Sequence, residues 1–506
     1  VCPEDAIIEG DKEIGELRHG HSGEIDFHYG LLKTAAGGMS PRLIHALKEH
    51  AGKGLTLLDS PPGTACSTVE TVRNADLCVL VADPTPFAIH DLKLSVNMCR
   101  QIGQEPAVVV NRAGLDDTAL KEYCRDAHLE ILGEIPDDRR IAEAYSVGDI
   151  VVDKLPDIRA CFGQLLTSVR EAAGAKRTVR ADLVQPLFEP GGQKARAKTP
   201  EVGGTRPDEI VIISGKGGTG KTSIAACFGQ LAANAVISDC DVDAADLHLV
   251  LTPEIREQGD FVGGISVNID GEKCIGCGRC CDVCRFSAIR PIADGKYAVD
   301  DAACEGCGGC EIVCPVNAVS SHDAVNGKWF VSQTRFGPMS HAILGHAEEN
   351  SGRLVTLVRD LAAELAASQE AVLARGIVID GSPGTGCPVI ASVSGANYAV
   401  IVTEPTVSGL HDLRRVLDLT KHFRVRAGVI VNKADLNTDM TERIRHVSDE
   451  VGADFLGAVP YDNAFTEAQI ERQTLLEYSN GATTEQIRSL WKLVCERATQ
   501  AARAAL

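Results

Sequence analysis

The chain has 506 residues, of which 44% are hydrophobic and 24% charged, a composition typical of a soluble globular protein with about three or four domains. Acidic residues outnumber basic residues by 70 to 50. The resulting formal charge of −20 argues against nucleic acid as a partner, because a net-negative surface repels phosphate. The sequence has no run of about 18 apolar residues and no signal-like N-terminus, so we expect neither a spanning helix nor secretion.

The chain contains an internal repeat. Three blocks in its first half, which begin at Leu55, Val81 and Val108, are similar to three blocks in its second half. Four pairs of matched residues are each separated by 321 positions: Asp59 and Asp380, Cys66 and Cys387, His90 and His411, and Asn111 and Asn432. Because a constant offset over separated blocks is hard to obtain by chance, we interpret the chain as two tandem copies of one domain.

The start of the first copy differs from that of the second. VCPEDAI at Val1 matches VCPVNAV at Val313 with an offset of 312, so the first copy has lost 9 residues before Asp59. We expect residues 1–10 to be the tail of a cysteine-rich insert, with Cys2 as a remnant cluster ligand. On this interpretation the sequence is a fragment and its first copy is N-terminally truncated. The alternative is a degenerate first copy that never had a phosphate loop.

The segment 175–208 between the copies is rich in proline, glycine and charge and has no apolar period, which indicates a linker. In the first copy, Gly52-Lys53-Gly54 is interpreted as a turn before a strand. In the second copy, helical stretches separate four short β-branched runs: IVIIS, GIVID, AVIVT and AGVIV. This alternation predicts a buried parallel sheet with crossover helices.

A phosphate-binding loop is predicted after the strand that begins at Glu209. Gly215-Lys216-Gly217-Gly218-Thr219-Gly220-Lys221-Thr222 fits G-x4-G-K-[ST] between a strand and a helix. The glycines let backbone N–H groups turn towards phosphate oxygens, and the helix N-terminus, with Ser223, adds its dipole. We expect Lys221 to pair with the β- and γ-phosphates and Thr222 to bind Mg²⁺.

The motif contains an additional lysine, Lys216, which narrows the class of phosphate-binding loop. GKGGTGKT resembles the deviant Walker A motif of the MinD/Mrp/ParA and nitrogenase iron-protein superfamily, the SIMIBI class of P-loop ATPases. The resemblance implies that Lys216 reaches across a dimer interface to the partner's nucleotide. That dimer would be an intramolecular pseudo-dimer of the two copies or a homodimer.

Three further residues match the superfamily in the expected order. Asp241, in SDCDVD, matches the aspartate that positions the attacking water, whereas Asp239 and Asp243 stay ambiguous. Asp380 matches the carboxylate that holds Mg²⁺, with Asp241 as a further candidate near the metal. Asn432 matches the residue that recognises the base, and the resemblance favours ATP.

Nine of the 19 cysteines lie between Cys274 and Cys314. They form two runs of C-x2-C-x2-C-x3-C, the bacterial two-cluster ferredoxin pattern, in which the fourth cysteine of each run ligates the other cluster. We therefore expect two [4Fe–4S] clusters, the first held by Cys274, Cys277, Cys280 and Cys314 and the second by Cys304, Cys307, Cys310 and Cys284. Zinc is the rival metal, but eight ligands at this spacing are atypical of it. Cys281 is interpreted as a non-ligand.

The whole chain resembles MinD-like ATPases with an inserted two-cluster ferredoxin domain, which occur as fused pairs and are often labelled cobyrinic acid a,c-diamide synthase-like. This resemblance implies an α/β fold of two tandem doubly wound parallel-sheet P-loop NTPase modules, the second with an inserted α+β ferredoxin domain. The expected bounds are 1–10 for the tail of the truncated insert, 11–174 for the first module, 175–208 for the linker, 209–265 with 320–506 for the second module, and 266–319 for its insert.

The remaining candidates are weaker. Cys66 and Cys387 follow their aspartates at the spacing of a subunit-bridging cluster ligand, but the tight turn favours buried structural cysteines. His90 and His411 are interpreted as helix caps or surface contacts. The stretch 486–505 is amphipathic, and we expect it to pack against its own sheet, since a membrane anchor would need a basic face.

Two functions remain open. In the first, binding and hydrolysis of ATP gate electron transfer through the clusters to a redox partner protein. In the second, the chain is a scaffold or carrier that delivers clusters to an Fe–S acceptor protein, as Mrp- and MinD-like relatives do. Amide ligation of a cobyrinate-like acid would need a nucleophilic cysteine with a paired histidine, and we find none. Clustered cysteines in an acidic chain predict a cytoplasmic, reducing location.

Overall fold

The computed structural model describes residues 10, 13–33, 40–52, 54–185, 187–188, 191–195, 207–233, 235–300, 303–304, 306–345, 348, 350–368 and 376–505. Cys2, the predicted remnant ligand, lies outside these residues, as does most of the predicted insert tail at 1–10.

The first half of the chain forms a small α/β unit and a separate hairpin. Its elements are β1 (Gly15–Ser22), β2 (Ile25–Leu32), α1 (Ser40–Lys48), α2 (Cys66–Val72), β3 (Val79–Ala82), α3 (Pro86–Gln101), β4 (Ala107–Ala113), α4 (Thr118–Asp126), β5 (Glu130–Pro136), α5 (Arg139–Ser146), α6 (Val151–Lys154) and α7 (Pro156–Gly174). Strands β3, β4 and β5 form a parallel three-stranded sheet, while β1 and β2 pair antiparallel.

One predicted strand of the first half is absent. Leu55, Leu57 and Leu58 lie in a segment without strand pairing, and their exposed fractions are 54%, 76% and 42%. The matching run at Ile377–Pro383 is paired on both sides with neighbouring strands. A β-branched or leucine-rich run becomes a strand only where neighbours accept its backbone hydrogen bonds, and the described residues of the first half provide none here.

The second half contains the main domain. Its elements are β6 (Gln193–Ala195), β7 (Glu209–Ser214), α8 (Lys221–Leu231), β8 (Val236–Cys240), α9 (Leu247–Leu251), β9 (Glu254–Ile269), α10 (Arg279–Val283), β10 (Ile289–Pro291), β11 (Tyr297–Val299), α11 (Gly309–Ile312), β12 (Val319–Thr334), β13 (Gly337–Leu344), α12 (Ser351–Ser368), β14 (Ile377–Pro383), α13 (Cys387–Val393), β15 (Tyr398–Thr403), α14 (Val407–His422), β16 (Arg426–Val431), α15 (Thr438–Val451), β17 (Asp454–Ala458), α16 (Ala464–Ile470), α17 (Leu475–Tyr478) and α18 (Ala482–Ala505).

A ten-stranded sheet runs through this domain in the order β17-β16-β15-β7-β14-β8-β13-β12-β9-β6. The strands from β17 to β13 are parallel, and β12 runs antiparallel to both of its neighbours. The four β-branched runs predicted as strands are β7, β14, β15 and β16, which confirms that part of the prediction. Helices α12 to α15 cover one face and α8 and α18 the other.

A two-stranded arm leads out of this sheet to the cysteine-rich segment. β9 and β12 pair antiparallel along most of their length, and their far ends, Ile269 and Val319, flank the segment between them. The pairing continues across the bounds predicted for the insert at 266 and 319, with register shifts on both sides of Val325. Within the segment, β10 and β11 form a short hairpin. The cysteine-rich segment is thus attached by the main sheet itself.

Described residues of the predicted linker contact both halves of the chain. β6 lies inside it and adds a parallel edge strand beside β9. The Arg177 guanidinium pairs with Glu130 at 2.7 Å, and the Arg180 backbone N–H donates to Glu105 at 2.9 Å. Residues 175–208 therefore contact both halves of the chain, which their content of proline, glycine and charge did not indicate.

The first half packs against the second through α3. Phe87 lies against a buried cluster that includes Leu247, Leu251 and Met339. The ring of His90 lies 5.4 Å from that of His248, and the ring of His248 lies 6.1 Å from that of His341.

No helix among the described residues is long and apolar enough to cross a membrane. α18 buries Ile487, Leu490 and Val494 against the sheet, as predicted for that stretch.

These buried histidines predict a loss of stability in acid. Burial lowers the pKa of His248 to about 4 and that of His341 to about 3, from an ordinary value of 6.5. Between pH 7 and pH 5 the unfolded chain binds more protons than the folded chain at both positions, so the free energy of unfolding falls as the pH falls through this range, by about 2 kcal/mol for each histidine. Urea titrations at pH 7 and pH 5 will measure this difference. His341→Gln is expected to reduce the difference by about half, since His248 remains, and the exposed His411→Gln to leave it unchanged. The same difference in His341→Gln as in the unsubstituted chain would contradict the assignment.

Candidate nucleotide and cysteine sites

The predicted phosphate loop occupies the turn between β7 and α8, in the middle of the sheet. Gly218 and Gly220 adopt φ angles of +77° and +86°, which favour glycine. A Cβ on Gly220 would collide with the side-chain amide of Asn432, and one on Gly215 would lie 2.5 Å from Asp412 Cβ. Glycine is therefore required at both positions for the loop to keep this conformation.

Lys221 is the first residue of α8 and its ammonium is buried among carboxylates. Its Nζ lies 2.6 Å from Asp380 Oδ1, 3.3 Å from Asp241 Oδ2 and 3.4 Å from Thr222 Oγ1. Burial alone would lower the pKa of Lys221, but the charges of Asp380 and Asp241 outweigh it and raise that pKa. The lysine is therefore a permanent cation at this edge of the sheet.

The three alternating acids after β8 have different environments. Asp239 accepts backbone N–H groups from Asp241 and Leu247, both at 3.1 Å, so it holds the loop in shape. Burial raises the pKa of Asp241 to about 7, against the opposing charge of Lys221, and raises the pKa of Asp243 to about 6. Asp241 is therefore the one of the three acids that pairs with Lys221. The sequence left the role of Asp239 open, and its two backbone hydrogen bonds indicate that it shapes the loop.

Two buried polar atoms beside Lys221 lack a hydrogen-bond partner. They are Asp380 Oδ2 and Thr219 Oγ1, on side chains that are 1% and 2% exposed. Buried polar atoms are rarely left unpaired in folded proteins. An unpaired carboxylate oxygen at the Lys221 ion pair and an unpaired hydroxyl in the phosphate loop fit a site for hydrated Mg²⁺ with phosphate oxygens.

Asn432, predicted to recognise the base, is anchored to the phosphate loop. Its side-chain amide donates to the Thr219 carbonyl at 2.8 Å, and its Oδ1 accepts the backbone N–H of Lys433 at 3.0 Å. Asn432 is 6% exposed, so its hydrogen bonds are shielded from water and hold the phosphate loop in place. At Ser223, the hydroxyl accepts a hydrogen bond from Gln469 at 2.7 Å.

Lys216 lies at the outer side of the loop, next to residues that the sequence did not single out. Its Nζ is 3.2 Å from Glu404 Oε2, and Glu404 also binds Lys433 at 2.6 Å. The internal repeat could have indicated the pair of Glu404 and Lys433. Asp83 and Arg112 lie 321 positions before these two residues. An acid and a cation recur at both strand ends.

The eight predicted cluster ligands line two cavities, each with the set expected from the spacing. A cavity of about 310 Å³ is lined by Cys274, Cys277, Cys280 and Cys314. A second cavity, of about 370 Å³, is lined by Cys284, Cys304, Cys307 and Cys310. Each fourth cysteine therefore crosses over to the other run's cavity. Cys281 lines neither one and its thiol donates to the Ile289 carbonyl at 3.2 Å.

Glycines shape the loops around both cavities. Gly276 and Gly306 adopt φ angles of +71° and +60°, and a Cβ on either would collide with a backbone carbonyl, of Gly295 and of Ile265 respectively. Burial raises the pKa of the Cys280 and Cys310 thiols. At Cys314, partial burial raises the pKa, but backbone N–H groups that include those of Val316 and Ala318 outweigh it and lower the pKa.

These features fit two iron–sulfur clusters. Closely spaced thiols on glycine-rich loops, with walls formed by apolar residues such as Ile269 and Val267, match the donor set and the cradle that cubane clusters need. Within the described ranges, no three His, Cys, Asp or Glu side chains already converge as a metal-binding group. The cysteines line the cavities without drawing together at their centres.

Two weaker expectations are wrong in part. Cys387 is exposed rather than buried, because it is the first residue of α13, at the open end of the sheet. The caps of α3 and α14 are Thr85 and Thr406, whose hydroxyls accept from the third helical N–H, and not His90 and His411. His411 is a surface residue beside Asp412, which agrees with its interpretation as a surface contact.

The sequence matches known proteins over its second half. Residues 210–475 match the family model described as the CobQ/CobB/MinD/ParA nucleotide binding domain. An uncharacterized protein of Methanocaldococcus jannaschii is 30% identical over 292 residues, which make up 57% of this chain and 96% of that protein. The solved structure of septum site-determining MinD from Pyrococcus horikoshii, with Mg-ADP, is 18% identical, covers 58% of this chain and 98% of its own, and has a TM-score of 0.35.

More distant relatives carry a functional description. The cytosolic Fe–S cluster assembly factor NBP35 of Kluyveromyces lactis is 26% identical over 141 residues. The match covers 23% of this chain and 43% of that protein, so this chain spans less than half of the relative's length.

Proposed function

Because the chain belongs to the CobQ/CobB/MinD/ParA nucleotide-binding family, we propose that it hydrolyses ATP and couples the nucleotide state to a two-cluster ferredoxin insert that serves a redox partner protein. The observation that carries this proposal is the combination of the Lys221–Asp380–Asp241 constellation with two cysteine-lined cavities on one continuous sheet. An occupied phosphate loop can then alter the environment of the cysteine-rich segment.

Hydrolysis in this proposal depends on electrostatics and positioning. Lys221 neutralises phosphate charge, and the backbone N–H groups of the loop at 215–220 bind phosphate oxygens. Asp380 and Thr222 hold Mg²⁺ through their oxygens. Asp241, which faces Lys221, orients the attacking water. Phosphate would compete with Asp380 for Lys221, so binding changes the ion pairs at the ends of β14 and β8.

The tandem interpretation is supported by matching details in the two halves. The β1–β2 hairpin pairs Gly15 with Leu32, and β12–β13 pairs Gly327 with Leu344, at the offset of 312. α1 has 9 residues and α12 has 18, which places the 9-residue loss in this helix. Arg112 and Lys433 adopt the unusual φ angles of +53° and +55°. We propose that both halves derive from one module and that the first lacks an equivalent nucleotide site among its described residues.

The insert in this proposal holds two [4Fe–4S] clusters in the cavities described above. Such clusters, when bound, supply one-electron transfer at potentials that depend on nearby charge and hydrogen bonds. Cys277 and Cys307 are exposed, so each cavity opens towards solvent and a docked partner.

A chain of contacts links the nucleotide loop to the arm that bears the insert. Gly352, in the first turn of α12, packs so tightly on α13 that a Cβ there would lie 3.3 Å from Cys387 Cβ. Cys387 follows Asp380 by seven residues. The next residue, Arg353, donates to the Gly263 carbonyl at 2.8 Å, where the arm begins.

The arm is irregular at this point. The Asn326 side chain accepts the Gly263 N–H at 2.9 Å and donates to Glu348. We call the hydrogen bonds of Asn326 with Gly263 and Glu348 the clamp. Register shifts flank Val325, so the β-ladder is interrupted next to the clamp. An interrupted ladder bends more easily than a regular one. We propose that the hydrogen bonds of Asn326 with Gly263 and Glu348, together with that of Arg353 to Gly263, carry the change from the nucleotide loop to the arm.

Hydrogen exchange tests this coupling without depending on the clusters. We expect amides near Gly263 and Val325 to exchange several-fold differently with Mg-ATP and Mg-ADP, since the clamp takes up two arrangements. Asn326→Ala should remove the difference, while Asn268→Ala, an exposed change on the neighbouring strand β9, should preserve it. Arg353→Lys is a second, milder variant. Equal exchange in both nucleotides would refute the proposed route.

A second candidate function is delivery of clusters to an acceptor protein. The distant relatives named as Fe–S cluster assembly factors favour it, and exposed Cys277 and Cys307 would allow thiol exchange. In this case the cluster is the substrate. ATP-dependent transfer of iron to an apo-ferredoxin would support delivery, and retention of all iron through many turnovers would support redox use.

A further inference from the structure

The ammonium of Lys216 is held by residues from both halves of the chain. Besides the ion pair with Glu404, its Nζ lies 3.3 Å from Ser408 Oγ and 5.5 Å from the centre of the Tyr145 ring. Glu404 and Ser408 belong to the connection from β15 to α14 and its first turn. Tyr145 belongs to α5 of the first half, so a residue of the first copy lies beside the phosphate loop of the second.

Several contacts dock the end of α5 at this place. The Tyr145 hydroxyl and Ser408 Oγ are 3.0 Å apart, and Asn437 donates to Ser146 Oγ at 3.2 Å. Arg139, at the start of α5, pairs with Asp435 at 3.0 Å. The side chain of Val407 lies 3.4 Å from where a Cβ on Gly148 would be. We call the segment 139–148 the latch.

The contacts of Lys216 compete with any contact to phosphate. An ammonium satisfied by a carboxylate, a hydroxyl and an aromatic face has three partners to give up before it can neutralise phosphate charge. Glu404 is 13% exposed at its side chain, and Lys433 supplies it with a second cation, so it keeps a partner when Lys216 leaves. Lys216 can therefore leave Glu404 without depriving that carboxylate of a positively charged partner.

We propose that Tyr145 is a positioning residue that parks Lys216 against Glu404, so that docking of the latch withholds this lysine from the nucleotide. This inference rests on the proposed hydrolysis of ATP at the same site. It assigns the first copy a role in the second copy's site through α5, whether or not a nucleotide binds to the first copy. Undocking of the latch frees Lys216 and speeds hydrolysis.

The test is a double-mutant cycle on the full chain. We expect Tyr145→Ala to raise the turnover number about 3-fold to 10-fold with little change in KM, as expected for losing a weak half-exposed contact. Tyr145→Phe keeps the ring over Lys216 and should stay within about 2-fold of the unsubstituted chain. In a Lys216→Ala background, Tyr145→Ala should have no effect. A fall in turnover, or an equal effect in both backgrounds, would overturn the latch.

A second measurement separates this inference from the proposed activity. Acetylation of Lys216 by acetic anhydride, followed by mass spectrometry without nucleotide, reports directly on whether the ammonium is parked. Tyr145→Ala should speed it several-fold relative to Tyr145→Phe, with Lys176 as the internal reference. If the chain hydrolyses no ATP but acetylation responds as expected, the proposed function fails and the parked lysine stands. If acetylation is unchanged, the latch fails whatever the activity.

Discussion

Replacing Lys221 with alanine is expected to lower the rate of ATP hydrolysis by about 100-fold to 1000-fold, the usual cost of removing one charge-stabilising group from such a site. The ammonium lies 2.6 Å from Asp380 and 3.3 Å from Asp241, at the start of the helix that follows the phosphate loop. Without it, phosphate charge meets two buried carboxylates and lacks the positive charge that the lysine supplies. Steady-state release of phosphate measures the loss.

The same substitution leaves buried carboxylates unpaired, which destabilises a fold by about 3–5 kcal/mol. A thermal melt must therefore accompany the kinetics. Asp380→Asn in combination with Lys221→Met removes the closer of the two unpaired charges and recovers part of the stability, while hydrolysis stays lost. Lys121→Ala, on the surface of the first half, is the matched control. Full activity in a folded Lys221 variant would show that ATP is not hydrolysed at this site.

The second large effect concerns the adjacent cysteines Cys280 and Cys281. We expect Cys280→Ser to lower the iron content of anaerobically reconstituted protein from about eight to about four atoms per chain, because one of two four-iron clusters loses a ligand. Cys280 lines the smaller cavity, whereas Cys281 points to the Ile289 carbonyl. Cys281→Ser, one position along, should leave the iron content unchanged.

The crossed ligation has its own consequence. Cys314→Ser should affect the same cluster as Cys280→Ser, although Cys314 belongs to the other run, and Cys284→Ser should affect the other cluster. The electron paramagnetic resonance spectra of the reduced variants distinguish these pairs. Binding of two zinc ions in place of iron, or equal effects of Cys280→Ser and Cys281→Ser, would contradict the cluster assignment.

Local patterns predicted the parts of this molecule that depend on local chemistry. β7, β14, β15 and β16 follow from short β-branched runs because a buried parallel strand needs apolar side chains on both faces. The phosphate loop follows from its glycines, which the positive φ angles at Gly218 and Gly220 require. The division of eight cysteines between two cavities matches the bacterial two-cluster ferredoxin pattern, in which the fourth cysteine of each run ligates the other cluster.

Contacts between distant segments were not predictable in the same way. Nothing near Tyr145 indicates that it lies beside Lys216, because that contact depends on how α5 docks on α14. The clamp between Asn326 and Gly263 depends on a register shift in the arm. The expected strand at Leu55–Asp59 is missing for the same reason: strand formation depends on neighbours, which a local pattern does not contain.

The central claim is that occupancy of the phosphate loop is felt at the cysteine-lined cavities. Its most direct test is a potentiometric titration of the anaerobically loaded chain, followed by electron paramagnetic resonance, with Mg-ATP and with Mg-ADP. We expect at least one midpoint potential to differ between the two nucleotides, and the difference to vanish in Lys221→Ala. Identical titrations in both nucleotides, from protein that holds its full iron and binds both, would show that the two sites are independent.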